Sequence, residues 1–400
     1  MTIPLTSEIK PFFSVFEEHV IKKFLTTAQG ILSARTTNLN IVKDKLPGIL
    51  ENQQNTKPDS NYKRLIRFFN MDDADKQALI EAILCFSFYL LRLKAKNIKY
   101  LALDGTSWEN GNKNIHLLTL SVVVNGVSIP IWWEDLDKKG MSNFNERRKV
   151  IDKACKLYNL KGLILLADRE YIGERWFEYL VDKGLEFVIR LKKGIYQGYV
   201  DNQRGKDKTF YKHQHLRYIG IEREALKKRY QICGVSKQIE ILGKKFSFVI
   251  FKNPKSSANE PLFYFISTLK DKRKIVKLYP IRWTIETCFK HLKSNGFNLE
   301  ALNFKDSGKI KLTMGIVVFI YALCIEQGLT QLKHKKKSDW KKYKNGSINL
   351  VVSKFKKGLS FLEIKFNNLR NFICFLSHSI RSIPKPSWLF FEPQFIAHVQ

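Results

Sequence analysis

The segment Leu163-Ile164-Leu165-Leu166-Ala167 decides the fold, and Asp168 follows it directly. Five apolar residues in succession are typical of a short strand that is covered on both faces of a sheet. Such strands belong to α/β proteins, in which functional side chains gather just beyond the carboxyl ends of the strands. The segment therefore predicts an α/β core and makes Asp168 a candidate functional residue.

A second predicted strand also ends at an acidic residue. The run Tyr100-Leu101-Ala102-Leu103 is followed by Asp104 and Gly105, which predicts a strand and then a turn. Each acid has a simpler interpretation as well, since Asp104 could be only a turn residue and Asp168 only the N-cap of the next helix. The two positions become informative when a third acid joins them.

The order of the predicted elements matches a known arrangement. The dipeptide Asn125-Gly126 joins two apolar runs and is a strong hairpin signal. With the two strands above, the order becomes strand, strand, strand, helix, strand, helix, strand, which matches the core of the ribonuclease H fold by analogy. The added elements are strands at 117–124, 127–133 and 187–190, and helices at 145–157 and 172–183.

The chain on either side of this core has a different texture. Apolar residues recur at helical spacing before residue 95, and helices are predicted again from about 271. Over 192–269, four short strand-like pieces (231–235, 239–242, 246–251 and 263–267) alternate with basic clusters. We predict an α/β fold with a ribonuclease H-like mixed sheet and a β-rich insertion, flanked by helical N- and C-terminal regions. The predicted regions are 1–95, a helical region that could bind DNA ends or only cap the core; 96–191, the first part of the core; 192–269, the insertion; 270–305, completion of the core with a glutamate helix; and 306–400, a helical, Lys-rich region.

The charge balance indicates a polyanionic partner. Sixty-nine Lys and Arg face 37 Asp and Glu in 400 residues, a formal net charge of +32. Such an excess repels itself in the folded state, and nucleic acid relieves that repulsion by releasing counterions when phosphates are neutralised. The alternative is a basic surface that serves only solubility.

Cysteines and apolar stretches bear on the compartment. The six cysteines show no metal-finger spacing, and the N-terminus has no basic segment followed by an apolar one. We therefore expect a cytoplasmic protein, associated with the nucleoid when bound to DNA. The apolar stretches 78–93 and 314–325 are shorter than the roughly 20 residues that span a bilayer, so we predict buried core helices and no membrane partner.

A predicted helix beginning near Pro280 supplies the third acid. At about 100° per residue, Tyr279, Arg282, Glu286 and Lys293 fall on one face of this helix. The opposite face is apolar and is suited to packing on a sheet. An ordinary amphipathic helix with a solvated charged face would have the same pattern. The apolar residues are Ile281, Ile285, Cys288 and Leu292.

The spacing of these four residues resembles the Y-R-E-K signature of the IS4-family DDE transposases. Two residues separate Tyr279 from Arg282, three separate Arg282 from Glu286, and six separate Glu286 from Lys293. The segment Leu165–Tyr171 also resembles the second-aspartate region of that family. The resemblance extends over roughly 101–297 and includes the position of the insertion before the glutamate.

The resemblance implies a site and a reaction. Asp104, Asp168 and Glu286 would hold two Mg²⁺ (or Mn²⁺) ions for cleavage of DNA at the element's terminal inverted repeats and for joining of 3′-hydroxyl ends to target DNA. Arg282 and Lys293 would bind phosphates near the cut. Tyr279 would donate a hydrogen bond to a phosphate there. A homodimer would hold the two ends in a synaptic complex.

Further features leave alternatives open. Similar transposases cut through a DNA hairpin and stack a flipped base on an aromatic side chain, but no tryptophan lies between Trp176 and Trp283. His213 and His215 lack a nearby third metal ligand. The rival functions are a ribonuclease H-fold nuclease without strand transfer and a non-cutting DNA-binding protein derived from a transposase. The candidates for stacking a base are Phe210, Tyr211, Tyr218, Tyr230 and Trp283.

Overall fold

A computed structural model of the protein describes residues 5–50, 56–92, 97–195, 198, 237–252, 262–332, 340–342 and 348–383. Eight strands form one mixed sheet at its centre. The strands are β1 (Tyr100–Asn110), β2 (Lys113–Val124), β3 (Val127–Asp135), β4 (Ile164–Ala167), β5 (Glu186–Leu191), β6 (Lys237–Ile241), β7 (Lys244–Lys252) and β8 (Leu262–Ser267). Their spatial order is β3-β2-β1-β4-β5-β8-β7-β6.

The first five strands have the predicted ribonuclease H-like arrangement. β4 lies between β1 and β5 and is parallel to both, while β1, β2 and β3 form an antiparallel meander. The β2–β3 hairpin turns at Asn125 and Gly126, whose φ angles of 53° and 72° suit the tight turn that this dipeptide favours. The mixed α/β class and the strand order confirm the predicted fold.

The strands that precede the glutamate helix extend the same sheet. β8 pairs antiparallel with β5, and β7 and β6 follow outward from it. They cover three of the strand-like pieces identified in the predicted insertion. The fourth piece, 231–235, lies outside the described residues, and so do His213, His215 and the aromatic candidates Phe210, Tyr211, Tyr218 and Tyr230.

The helices form one body with the sheet, because residues from the first and last parts of the chain belong to the same hydrophobic core as the strands. Ion pairs between Arg35 and Glu363 and between Glu8 and Arg381 join the two ends of the described chain. The helices are α1 (Glu18–Ala34), α2 (Leu39–Val42), α3 (Leu46–Ile49), α4 (Pro58–Phe69), α5 (Asp73–Leu90), α6 (Phe144–Leu157), α7 (Glu174–Asp182), α8 (Lys272–Leu278), α9 (Trp283–Leu292), α10 (Ser307–Gln331), α11 (Lys354–Lys365) and α12 (Leu369–Arg381). Short 3-10 helices (Lys10–Phe13, Lys43–Lys45, Tyr279–Arg282, Leu299–Ala301) and a two-stranded sheet of β9 (Trp340–Lys342) and β10 (Ile348–Leu350) complete the described elements.

Helix α10 is the centre of the helical part. Its 25 residues are long and apolar enough to cross a membrane, but 89% of its most apolar 18-residue window is buried within the protein. A helix surrounded by protein is apolar on all sides. Gly358 of α11 permits a close approach, since a Cβ there would lie 1.7 Å from the carbonyl oxygen of Cys324.

Candidate active site

Asp104 and Asp168 lie side by side where the parallel pairing of β1 with β4 ends. Leu103 of β1 is paired with Ala167 of β4, and each acid is the next residue along the chain. The simpler interpretations of both acids are wrong. β1 continues to Asn110 without a turn at Asp104, and the N-cap of α7 is Gly173.

Helix α9 brings Glu286 to the same place. The predicted helix begins as a 3-10 turn over Tyr279–Arg282 and becomes α-helical at Trp283. Ile285 is fully buried and packs with Phe289 against Ala102 of β1 and Val123 of β2. Because this apolar face is held on the sheet, the opposite face presents Glu286 toward the strand ends.

The guanidinium of Arg282 lies among the three carboxylates. Its Nη1 donates to Asp104 Oδ2 at 3.0 Å, and its Nη2 donates to Glu286 Oε1 at 2.6 Å and lies 3.8 Å from Asp168 Oδ2. The residue is only 4% exposed. Phosphate binding is the role predicted for Arg282 from the sequence, whereas in the structure its partners are the predicted metal ligands.

Tyr279 and Lys293 lie on either side of this cluster. The hydroxyl of Tyr279 donates to Asp168 Oδ1 at 3.0 Å, and its ring packs on Phe265. Lys293 Nζ donates to the carbonyl of Ser107 at 3.2 Å and forms an ion pair with Glu300 at 2.5 Å. All four residues of the sequence signature therefore surround one location.

An open pocket of about 460 Å³ lies over the cluster. It exposes both acidic and basic groups, so it can accept a metal cation and a phosphate together. Its lining residues are Asp104, Gly105, Thr106, Asp168, Arg282, Glu286, Phe289, Lys290, Lys293, Ser294 and Glu300.

Burial and like charges act on the Asp104 carboxyl. Burial is the main cause that raises its pKa to about 6, and Glu286 and Asp168 raise it further, while Arg282 and the N–H of Gly105 oppose the rise. Burial lowers the pKa of Arg282, but Tyr279 and the three carboxylates outweigh it and the net change is upward. Burial and then Asp168 raise the pKa of Tyr279 to about 12. The carboxylates thus repel one another, and a cation between them relieves that repulsion.

The chemistry of the donor set suits a divalent cation. Three carboxylates supply the hard oxygen ligands that Mg²⁺ prefers. Among the described residues, however, no three acidic, His or Cys side chains converge in an arrangement ready to ligate a metal ion. Asp104, Asp168 and Glu286 fit the ion by type and location, and the Arg282 guanidinium must turn away from them for the ion to bind.

Three nearby residues were not identified from the sequence. Arg190 of β5 lies 3.9 Å from Asp168 Oδ1. A Cβ at Gly105 would lie 2.4 Å from His116 Nε2, so glycine next to Asp104 admits that buried imidazole. The guanidinium of Arg147 reaches the turn after Asp168. The sequence predicts Gly105 only as part of a turn, and nothing in the local sequence pattern marks Arg190 or Arg147.

Comparisons with known proteins gave one family match and one similar solved structure. The family model described as "Transposase DDE domain" matches residues 97–323, a span that contains Asp104, Asp168 and Glu286. No curated protein matches the sequence. A cryo-EM structure of the piggyBac transposase synaptic complex with hairpin DNA is similar at 12% identity with a TM-score of 0.42, over 96% of this chain and 76% of that chain.

Proposed function

This chain belongs to the transposase DDE domain family, and from that premise we propose that it cleaves DNA at the ends of a mobile element and joins the 3′-hydroxyl ends to target DNA. The observation that carries the proposal is the meeting of Asp104, Asp168 and Glu286 at one pocket, drawn from two parallel strands and one helix. Three carboxylates in a solvent-open pocket beside several cations suit phosphoryl transfer, in which catalysis depends on positioning and charge neutralisation.

In this proposal Asp104, Asp168 and Glu286 would hold two Mg²⁺ or Mn²⁺ ions. The bound ions would activate the attacking water or 3′-hydroxyl and stabilise the leaving oxygen. The protein's own contribution is to hold the carboxylates on rigid elements. Asp104 is inside β1, and Glu286 is on a helix whose opposite face is packed on the sheet.

Arg282 and Lys293 would bind phosphates beside the cut. Arg282 lines the pocket, and once its guanidinium has turned away from the carboxylates it would present its donors to a phosphate oxygen. Lys293 and Lys290 line the pocket, and Tyr279 would exchange its contact with Asp168 for a phosphate oxygen. The net charge of +32 supports DNA as the partner, and the affinity should fall steeply with salt.

Finer features of the function extend the same proposal. The Tyr279-Arg282-Glu286-Lys293 spacing supports membership of the IS4 branch of the family. Synapsis of two DNA ends would require a homodimer, and we propose that it acts in the cytoplasm on nucleoid DNA. A hairpin intermediate would require an aromatic surface for the flipped base, for which Trp283, 42% exposed beside Arg282, is available.

The test compares the parent with Glu286→Gln, which keeps the shape of the side chain and removes its charge. A labelled duplex that carries the terminal repeat of the protein's own element is incubated with Mg²⁺ and unlabelled target DNA. We expect the parent to nick and join the end, and Glu286→Gln to bind it with at least a 1,000-fold lower cleavage rate, on the order found when a unit of catalytic machinery is broken.

Glu109→Gln is the matched control, because Glu109 does not line the pocket and its exposed carboxylate pairs with the exposed side chain of Lys139. This variant should cleave within about threefold of the parent, since an exposed ion pair contributes little. Cleavage without joining would identify a nuclease. Binding by the parent without cleavage in Mg²⁺ or Mn²⁺ would reject the enzyme and leave a DNA-binding protein.

A further inference from the structure

Arg147 is a buried arginine outside the predicted signature. It lies in the first turn of α6 and is 6% exposed. The start of α6 is fixed by a capping box, in which Asn143 and Glu146 exchange hydrogen bonds between side chain and backbone. Arg147 therefore projects from a rigid position, and its guanidinium points at the turn that follows Asp168.

The guanidinium of Arg147 holds this turn through backbone carbonyls. Its Nη1 donates to the carbonyl of Ile172 at 3.2 Å, and its Nη2 donates to the carbonyl of Glu170 at 3.0 Å and to that of Ser142. Its plane also lies 5.3 Å from the centre of the Tyr171 ring. The two carbonyls in the turn lie on either side of Tyr171, so the guanidinium fixes the path of the chain through it.

A second set of contacts connects Arg147 to the turn through Ser142. Arg147 Nε donates to Ser142 Oγ at 3.0 Å, and both the N–H and the hydroxyl of Ser142 donate to Glu170 Oε1, at 3.0 and 3.1 Å. The negative charge of Glu170 is thereby brought close to the buried guanidinium. The result is a closed network that spans 142–172 and gives each of the three guanidinium nitrogens of Arg147 a hydrogen-bond partner.

The geometry of the turn determines where the Asp168 carboxylate lies. The N–H of Tyr171 donates to the carbonyl of Asp168 at 3.0 Å, which closes the turn. The N–H of Arg169 donates to Asp168 Oδ1 at 2.8 Å, and the same oxygen accepts from Tyr279. Because one N–H within the turn is bonded directly to the carboxylate, a shift of the turn moves the carboxylate.

We propose that Arg147 is a positioning residue that fixes the Asp168 carboxylate for metal binding and DNA cleavage, by holding the carbonyls of Glu170 and Ile172. This inference rests on the function proposed above. Substitution of a residue that orients a metal ligand without touching the ion lowers metal affinity or activity by about 10- to 100-fold. This range sets the size of the expected effect.

The experiment compares Arg147→Met with Arg148→Met. Arg148 is the next residue of α6, but its side chain is 55% exposed and forms an ion pair with Asp152 in the same helix, so its replacement controls for loss of one positive charge. Binding of Mn²⁺ alone to the DNA-free full-length protein is measured from the paramagnetic resonance signal of unbound Mn²⁺. We expect about 10-fold weaker Mn²⁺ binding in Arg147→Met and parental binding in Arg148→Met.

DNA assays on the same proteins separate positioning from general loss of structure. Arg147→Met should bind the element-end duplex like the parent and cleave it about 10- to 100-fold more slowly at limiting Mn²⁺. Excess Mn²⁺ should restore most of the rate, which would not happen if the fold were damaged. Parental Mn²⁺ binding and cleavage in folded Arg147→Met would overturn the proposal.

Ser142→Ala and Glu170→Gln keep the arginine and loosen the same network, so they serve if Arg147→Met does not fold. Each should weaken Mn²⁺ binding by about threefold or more, below the full effect of losing the arginine. Parental binding in both would overturn the proposal. If the parent itself neither binds Mn²⁺ nor cleaves, the proposed function fails and the role of Arg147 fails with it.

Discussion

Arg147 and Arg282 are two buried arginines that reach the same strand end, and they are stabilised in different ways. The partners of Arg282 are the carboxylates of Asp104, Asp168 and Glu286. The direct partners of Arg147 are three carbonyls and one hydroxyl. Burial lowers the pKa of Arg147, whereas the surrounding anionic groups raise that of Arg282. The charge of Arg282 is balanced by carboxylates, whereas that of Arg147 is stabilised mainly by the dipoles of carbonyl and hydroxyl groups.

Two arginines of similar burial can therefore have different roles, Arg282 among the reactive carboxylates and Arg147 in fixing the path of the backbone. A cation surrounded by three acids can be exchanged for another cation, because the acids retain their attraction for positive charge. A cation bonded to backbone carbonyls has no such substitute, since its five donors fit a particular path of the chain. We therefore expect the loss of stability on replacing Arg282 to depend on pH and on bound metal ions. Replacing Arg147 should affect metal binding only through the position of the Asp168 carboxylate.

Of the two arginines, Arg282 has the larger expected effect when it is replaced, as in Arg282→Gln. Loss of the guanidinium leaves the three carboxylates without a cation, and cleavage should fall by at least about 100-fold, as when one donor to a transition state is lost. With a metal chelator present, the pKa of Asp104 should rise further. The loss of unfolding free energy should therefore grow between pH 5 and pH 8 and reach about 3 kcal/mol, as measured by urea denaturation.

Arg147→Met is the matched comparison in the same denaturation series. Its lost partners are carbonyls and a hydroxyl, none of which titrates between pH 5 and pH 8. Its loss of stability should therefore be nearly constant over that range. Parallel pH profiles for Arg147→Met and Arg282→Gln would show that the two arginines do not differ in the way described.

The sequence predicts one of these arginines and not the other for a physical reason. Arg282 belongs to a spaced motif on a helix, and the order of strands around it follows from apolar runs such as Leu163–Ala167, which are typical of buried strands. Arg147 bonds to carbonyls, which every residue possesses, so its partners leave no mark in the sequence. Contacts of this type become visible only when the chain 20 or more residues away is in place.

The limits of local patterns also appear at Asp104. The Asp-Gly pair resembles a turn, yet β1 continues through it to Asn110, because pairing with β2 overrides the local preference. In the same way, strands β6, β7 and β8 were recognised as strands from their apolar runs, but their continuation of the core sheet beyond β5 depends on pairing that single segments do not encode. The apolar side of the predicted helix at Pro280 is buried as expected, but the first turn is a 3-10 helix and the helix ends at Leu292, so Lys293 lies just beyond it.

Ionisation of the Asp104 carboxyl lowers the free energy of unfolding. Its folded pKa of about 6 lies above the ordinary value of 3.8, so the native state binds this proton more tightly than the unfolded state. The contribution of Asp104 to stability is therefore fully present below about pH 4 and is lost as the pH rises through 6. Asp104→Asn removes this cost and should raise the unfolding free energy by about 3 kcal/mol at pH 8 and by almost nothing at pH 4.

Urea denaturation with a metal chelator tests the gain, and a gain independent of pH would contradict the assignment. Asp104→Asn should also lose cleavage, because stability and the charged site are in conflict at this position. Asp152→Asn is a suitable control. The pKa of Asp152 is lowered by Lys183 and Tyr179 despite partial burial, so this variant should lose stability at pH 8 instead of gaining it.

The smallest expected effect comes from a substitution that tests packing, rather than charge, beside the Asp104 carboxylate. Gly105→Ala adds a methyl group 2.4 Å from His116 Nε2, and because the tip of a side chain can shift, the cost should be about 1 kcal/mol. In a His116→Ala background the same methyl group should cost almost nothing, which a double-mutant cycle measures directly. An equal cost in both backgrounds would mean that His116 does not explain the glycine. If Gly105→Ala shows the expected dependence on His116 and also slows cleavage, displacement of Asp104 by packing alone impairs the site. The Asp104 carboxylate is then held in two ways, by the charge on Arg282 and by the packing at Gly105.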